Sequence, residues 1–300
     1  MPTTMTGFIV DIEFIWGFQA RIIGLSKTSP SFYYPPPTTF LGALSEVIAK
    51  DNNIGEDAGK FIINELSRNL LAIGFRPLNC IPIKYEDLSR IIMIRSLDKK
   101  IKSPLPTKPY SSFDSPAKGK TILASLDRNP PRIRWFIIFE NEEIEIGNNI
   151  LRSRISKIML EEDYFWKIHR LGSKESKVSV INVKKLKNTD IQCSEEEYII
   201  TNYSFPADSA KHGEEIMRKW ENEIYANPFN GNIYTTSSGR IGECGIFSKY
   251  YQNGLNYLKI FKVPIIISLL NPPSYSILLS NNWKAYSTQY ENKQEVVIGK

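Results

Sequence analysis

Residues 170–177 read Arg170-Leu171-Gly172-Ser173-Lys174-Glu175-Ser176-Lys177, a run of cations and hydroxyls gathered around one glycine. Small residues leave backbone N–H groups accessible, and the hydroxyls and cations add donors, which is the local chemistry that grips phosphate. Slightly further on, Lys184, Lys185 and Lys187 follow Val178, Val180, Ile181 and Val183, and read as the charged end of a strand. A larger cluster comprises Lys99, Lys100, Lys102, Lys108, Lys118, Lys120, Arg128, Arg132 and Arg134, opposed only by Asp114 and Asp127. The chain's net charge of +6 therefore resides in this one segment and the remainder is close to neutral. Within it, Tyr110 and Phe113 can stack on bases or wedge between them. A solvated loop whose lysines serve only solubility is the equal alternative from these residues.

Other chemistry finds little support. Gly119-Lys120-Thr121 resembles the end of a phosphate-binding P-loop, but the required first glycine falls on Asp114. Ser238-Gly239-Arg240-Ile241-Gly242-Glu243-Cys244-Gly245 is glycine-rich without dinucleotide-binding spacing, and an ordinary turn is the preferred reading. Cys80, Cys193 and Cys244 form no close pair, which argues against a zinc site or disulfide framework and for a reducing cytoplasmic setting. No metal or cofactor is expected. Metal-free RNA cleavage needs a base, an acid and a cation, and His169 and His212 are the only histidines to supply it.

The elements that position these residues follow from pattern. Phe8-Ile9-Val10-Asp11-Ile12-Glu13-Phe14 alternates and predicts a first strand, running on to Trp16-Gly17-Phe18. Ser29-Pro30-Ser31-Phe32-Tyr33-Tyr34-Pro35-Pro36-Pro37 must be extended, because proline fixes φ and lacks an N–H. Thr38 or Thr39 then caps a helix with Phe40, Leu41, Leu44 and Ile48 on its apolar face, and Gly42-Ala43 allows close approach to a neighbouring backbone. Helices are predicted over residues 56–71, 149–166 and 209–223, the last capped by Asp208 or Ser209. Strands are predicted over 90–95, 133–139, 178–183, 198–203, 233–236, 257–262, 265–270, 275–279 and 283–290. The six prolines of the basic segment block helix and central strand alike, so it reads as a finger inserted between two strands.

The strand ending in Trp-Gly-Phe, the basic serine-rich loop, and Tyr33-Tyr34-Pro35-Pro36-Pro37-Thr38-Thr39-Phe40-Leu41-Gly42-Ala43-Leu44 resemble the N-terminus of the fifth CRISPR-associated (Cas) protein family. Leu171-Gly172-Ser173-Lys174-Glu175-Ser176 resembles that family's second motif, in the right order downstream. These are RAMP-type subunits of type I interference (Cascade) complexes, and the proline-threonine ramp leans towards an archaeal type I-A style. The resemblance implies an α+β fold: a ferredoxin-like (RRM-like) domain over residues 1–205 with a thumb inserted at about 96–134. Residues 206–300 would then add a helix and a β-rich subdomain or sheet extension.

It further implies a non-catalytic subunit that holds the 5′ handle of CRISPR RNA (crRNA), in antiviral defence. Lys27, Tyr33, Tyr34, Thr38 and Thr39 of the ramp, with Arg170, Ser173, Lys174 and Lys177, would form the handle site, and Arg240 a glycine-rich-loop contact. The thumb, with Lys99, Lys100, Lys102, Lys108, Tyr110, Phe113, Lys118, Lys120 and Arg128, would fold over the guide–target duplex. Expected partners are a family-seven backbone subunit, a family-eight large subunit and, through the complex, target DNA. The alternative is a metal-independent endoribonuclease using His169, since some relatives cut precursor RNA themselves. No membrane partner is expected: the apolar run at 263–270 is short and interrupted by Pro264, and residues 1–7 hold no basic leader.

Overall fold

The computed structural model describes residues 4–20, 31–54, 59–85, 96–97, 100–101, 119–146, 156–195, 198–216, 219–231, 258–265 and 273–300. Thr6–Phe14 forms strand β1, which is buried on both faces. Then follow β2 (Gly17–Phe18), α1 (Pro37–Asp51), α2 (Gly59–Arg68), β3 (Leu70–Pro77), β4 (Cys80–Tyr85), β5 (Ser96–Leu97) and β6 (Lys100–Ile101). Next come β7 (Lys120–Ser125), β8 (Arg132–Phe139), β9 (Glu143–Ile146), β10 (Ser156–Met159), α3 (Glu162–Trp166) and β11 (Val178–Leu186). The chain continues through β12 (Gln192–Ser194), β13 (Tyr198–Thr201), β14 (Phe205–Pro206), β15 (Ala210–Ile216) and β16 (Trp220–Ala226). It ends with β17 (Leu258–Pro264), β18 (Ser274–Leu279), β19 (Lys284–Tyr290) and β20 (Lys293–Gly299).

The main sheet is seven-stranded, in the order β11-β1-β8-β3-β20-β19-β12, and every pairing is antiparallel. With helices gathered on one face, the class is α+β, as expected. Period-two alternation sorts β1 between the faces. Phe8, Val10, Ile12 and Phe14 join Phe40, Leu41, Leu44 and Ile48 of α1 and Ile62 and Leu66 of α2 in one core. Ile9 joins Phe136, Ile138, Tyr203 and Val297 on the other face. The turn at Glu291 and Asn292 (φ 51° and 60°) closes the β19–β20 hairpin. Gly299 then pairs with Ala72 of β3, so that hairpin extends the main sheet.

The second face carries charge as well. Arg134 is nearly buried and grips Asp11 through two bonds of 2.7 and 2.8 Å. It also reaches Glu295 at 3.0 Å and Glu291 at 3.0 Å, while Arg76 bonds Glu295 at 2.7 Å. Burial alone would lower the Arg134 pKa, but the Asp11 carboxylate overrides it and holds the guanidinium well above its ordinary range.

Several expectations are corrected. The helix over 56–71 stops at Arg68, and Leu70 opens β3 instead. Asn69 ends it, accepting Asn141 N–H on its side chain while Glu140 N–H bonds its carbonyl. Of the helix expected over 149–166, residues 149–155 lie outside the described residues, Ser156–Met159 instead forms β10 paired with β9, and only α3 is helical among the rest. The helix over 209–223 is absent among the described residues: Ala210–Ile216 forms β15, residues 220–223 belong to β16, and Asp208 and Ser209 lie in a short 3-10 turn. Neither Thr38 nor Thr39 caps α1. Pro36 is its N-cap with no side-chain bond, and Pro37 occupies the first turn, where its missing N–H costs nothing. A methyl at Gly42 would meet only the Ile63 side chain at 3.7 Å, so no close backbone approach occurs there.

The basic finger is also narrower than its composition suggests. β7 lies inside it and is the middle strand of a small sheet, β2-β7-β4, while Arg132 and Arg134 belong to β8. The described strands flanking the insertion are therefore β4 and β7. The strands expected over 90–95, 233–236 and most of 265–270 lie outside the described residues. The strands over 133–139, 178–183, 198–203, 257–262, 275–279 and 283–290 correspond to β8, β11, β13, β17, β18 and β19.

Candidate nucleic-acid interface

The turn at 170–177 is built by β-pairing of its ends, Arg170 with Lys177, and by Leu171 N–H bonding the Ser176 carbonyl at 3.0 Å. Gly172 sits at φ +117°, and a Cβ there would lie 2.5 Å from the Gln19 carbonyl oxygen. Only glycine fits that combination of twist and closeness. The turn is then welded to the chain just after β2. Ser173 N–H bonds Gln19 O at 2.9 Å, Gln19 N–H bonds Ser176 Oγ at 2.9 Å, and Trp16 Nε1–H bonds Glu175 O at 2.9 Å.

This assigns the turn's side chains different duties. Ser176 is fully buried, and its hydroxyl lies 3.2 Å from that of Ser173, so both hydroxyls serve the fold. Arg170 bonds Glu46 of α1 at 3.0 Å. Lys174 and Lys177 are exposed and make no ion pair among the described residues. They are the free cations of the turn.

The ramp is fastened from two sides. Ser31 Oγ lies 2.5 Å from Thr121 Oγ1, and Thr121 donates to the Phe32 carbonyl. Thr121 is also the register partner of Phe18 in β2 and of Lys84 in β4. On the far side, Tyr33 N–H is shared between both oxygens of Glu223 at 2.8 Å each, and Lys84 Nζ meets the same carboxylate at 2.9 Å. The ramp and the serine turn thus meet through β2: Phe18 is paired to the threonine that holds the ramp, and Gln19 holds the turn.

The aromatic pair divides. Tyr34 is fully buried, its hydroxyl donating to Pro264 O at 2.6 Å and its ring 5.1 Å from Phe75. Burial pushes the phenol well above its ordinary pKa, and the ring offers no surface to a base. Tyr33 is half-buried, with the Lys84 ammonium 3.5 Å over its ring. Thr38 is buried in the first turn of α1, and Thr39 is half-buried.

Of the thumb residues, Lys120 and Arg128 are exposed, whereas Arg132 pairs with Glu13 and Arg134 is locked in the sheet. Lys100 lies in β6. Lys27, Lys99, Lys102, Lys108, Tyr110, Phe113, Lys118 and Arg240 fall outside the described residues. His169 is exposed, its Nδ1 3.4 Å from the Lys167 carbonyl, and His212 is exposed on β15 rather than on a helix. Gln19, Lys84 and Glu223 were not legible as site residues. Glu223 alternates with Ile224, yet the acid is buried and the isoleucine exposed, the reverse of what hydropathy predicts.

No family model matches the sequence. The chain is 26% identical, over 248 residues and 82% of both proteins, to "CRISPR-associated protein Cas5 2" of Saccharolobus solfataricus. It is 28% identical over 178 residues to "CRISPR system aCascade subunit Cas5 1" of the same organism, covering 58% of this chain and 63% of that one. It is 41% identical to a solved CRISPR protein from Archaeoglobus fulgidus, with a TM-score of 0.66 and 98% and 99% of the two chains covered.

Proposed function

The chain belongs to the Cas5 family of CRISPR-associated proteins, and from that premise we propose that it is a non-catalytic Cascade subunit holding the 5′ handle of crRNA. The observation that carries this reading is the meeting of the two family motifs at β2, with Lys174 and Lys177 left free. Unpaired RNA is held by phosphate contacts, stacking and base-edge bonds. The turn offers cations for phosphate, and Tyr33 an aromatic ring beside the ramp.

The strand order β11-β1-β8-β3, with α1 and α2 between β1 and β3 and α3 between β8 and β11, supports a ferredoxin-like RAMP domain. The segment between β4 and β7 would be the thumb, contacting the family-seven backbone subunit and the duplex. A family-eight large subunit would dock on remaining apolar surface, in a complex of type I-A style.

The test is binding of purified chain to RNA carrying the repeat-derived handle and to RNA with that handle scrambled. Nanomolar-range affinity for the first, falling steeply with salt, is expected. Equal affinity for both removes the handle reading. Repeat RNA incubated with the chain in chelator is expected to stay intact; a discrete cut lost in His169→Ala would instead favour the endoribonuclease alternative.

A further inference from the structure

Glu223 is 4% exposed, yet it belongs to no catalytic or metal arrangement among the described residues. Its carboxylate accepts the Tyr33 N–H at 2.8 Å, the Tyr34 N–H at 3.4 Å and the Tyr225 hydroxyl at 2.6 Å. Lys84 completes the set at 2.9 Å, and its side chain is 31% exposed. A buried carboxylate needs such a cation. The cation, however, is not used up by it. An ammonium carries three donors, and among the described residues Glu223 is the one hydrogen-bond acceptor of Lys84. The same ammonium lies 3.5 Å over the ring of Tyr33.

We propose that Lys84 and Tyr33 form a one-nucleotide subsite for single-stranded RNA, and that Glu223 is its positioning residue. Lys84, which covers one face of the Tyr33 ring, donates to a phosphate oxygen while the adjoining base packs on the part of the ring that the ammonium leaves uncovered, and Glu223 fixes the ramp backbone and the ammonium in register. A half-buried aromatic ring with a cation over one face suits a base with its phosphate; an acidic peptide would use the cation alone. The location agrees. Lys84 is the register partner of Thr121, which grips the ramp, and β4 leads directly into the inserted finger. This inference rests on the RNA-binding reading above and adds two residues that the family motifs do not contain.

A purely structural Lys84 and a phosphate-binding Lys84 differ in one measurable quantity, the salt dependence of RNA affinity. Each phosphate contact to a single strand contributes about 0.7 to the slope of log affinity against log salt. The variant Lys84→Met with Glu223→Gln removes the cation without stranding a buried charge. It is expected to bind handle RNA about tenfold more weakly, with the slope reduced by about 0.7. Lys84→Arg keeps the charge and is expected to keep the slope. A double variant with wild-type slope and affinity overturns the subsite.

Should the double variant fail to fold, photocrosslinking of the unmodified chain to handle RNA bearing 4-thiouridine decides. Adducts at Tyr33 or Lys84 are expected, and adducts exclusively elsewhere overturn the proposal. Unmodified chain that binds handle and scrambled RNA equally sinks the handle reading, while the slope comparison still judges the subsite.

Discussion

Ser176 accepts the backbone N–H of Gln19 on its hydroxyl at 2.9 Å, a bond spanning 157 residues of sequence. Gln19 returns the link, its carbonyl accepting the Ser173 N–H at 2.9 Å. The reciprocal pair turns two remote motifs into one surface, and it explains why the turn contains serines that never face solvent as free hydroxyls. What remains outside the weld is charge.

Ser176→Ala leaves the Gln19 N–H without its acceptor in a partly buried place. Unsatisfied donors of this kind cost about 1–3 kcal/mol. Urea unfolding is expected to show that loss, and handle selectivity to fall with it. Gly172→Ala is more severe for the turn, because Cβ would lie 2.5 Å from the Gln19 carbonyl at φ +117°.

Arg134→Met removes the cation between Asp11 and Glu295, whose side chains are 7% and 1% exposed. Breaking a buried pair from one side leaves uncompensated charge, at a cost of about 3–5 kcal/mol. The midpoint of denaturant unfolding is expected to drop accordingly. A midpoint within error of the unmodified chain would show that Arg76 alone neutralises the cluster.

Asp127 predicts an acid response. The Asn79 side-chain amide bonds its carboxylate at 2.8 Å and, with Asn129 and Ser125, lowers its pKa from 3.8 to about 2. A carboxyl with a depressed folded pKa favours folding above its unfolded value, and that contribution is lost as pH falls towards 2. Asp127→Asn is therefore expected to flatten the stability profile between about pH 4 and pH 2. An unchanged acid limb would assign the acid sensitivity to other carboxyls.

The two adjacent tyrosines should separate cleanly. Tyr34→Phe loses the bond to Pro264 O, costs about 1 kcal/mol in unfolding experiments and leaves RNA binding intact. Tyr33→Leu is expected to weaken RNA binding while the melting temperature moves little. Equal RNA affinity for both variants would remove stacking from the account.

Much of the scaffold was legible where local pattern and burial agree. Phe8 to Phe14 alternates in sequence and in the sheet, and Pro36 is extended at the N-cap of α1, although Pro37 already lies in the helix. Failures cluster where tertiary pairing overrides local pattern. Leu70 continues the apolar spacing of α2 but is claimed by β8 as a ladder partner. Lys211 to Glu223 carries Ile216, Met217 and Trp220 at helical spacing, and only pairing with β17 and β18 decides for strands. The site divided similarly. The cations of 170–177 could be read directly, but the Glu223 clasp joins residues 190 apart and leaves no local trace.

The most direct test of the account reverses the charge of Lys174 and Lys177 together, as Lys174→Glu with Lys177→Glu, and measures affinity for handle and scrambled RNA across a salt series. Both side chains are exposed and unpaired among the described residues, so the melting temperature is expected to hold. The account predicts that affinity for handle RNA falls to the level of scrambled RNA and that the salt slope decreases. Unchanged preference for the handle in the doubly reversed chain would contradict it.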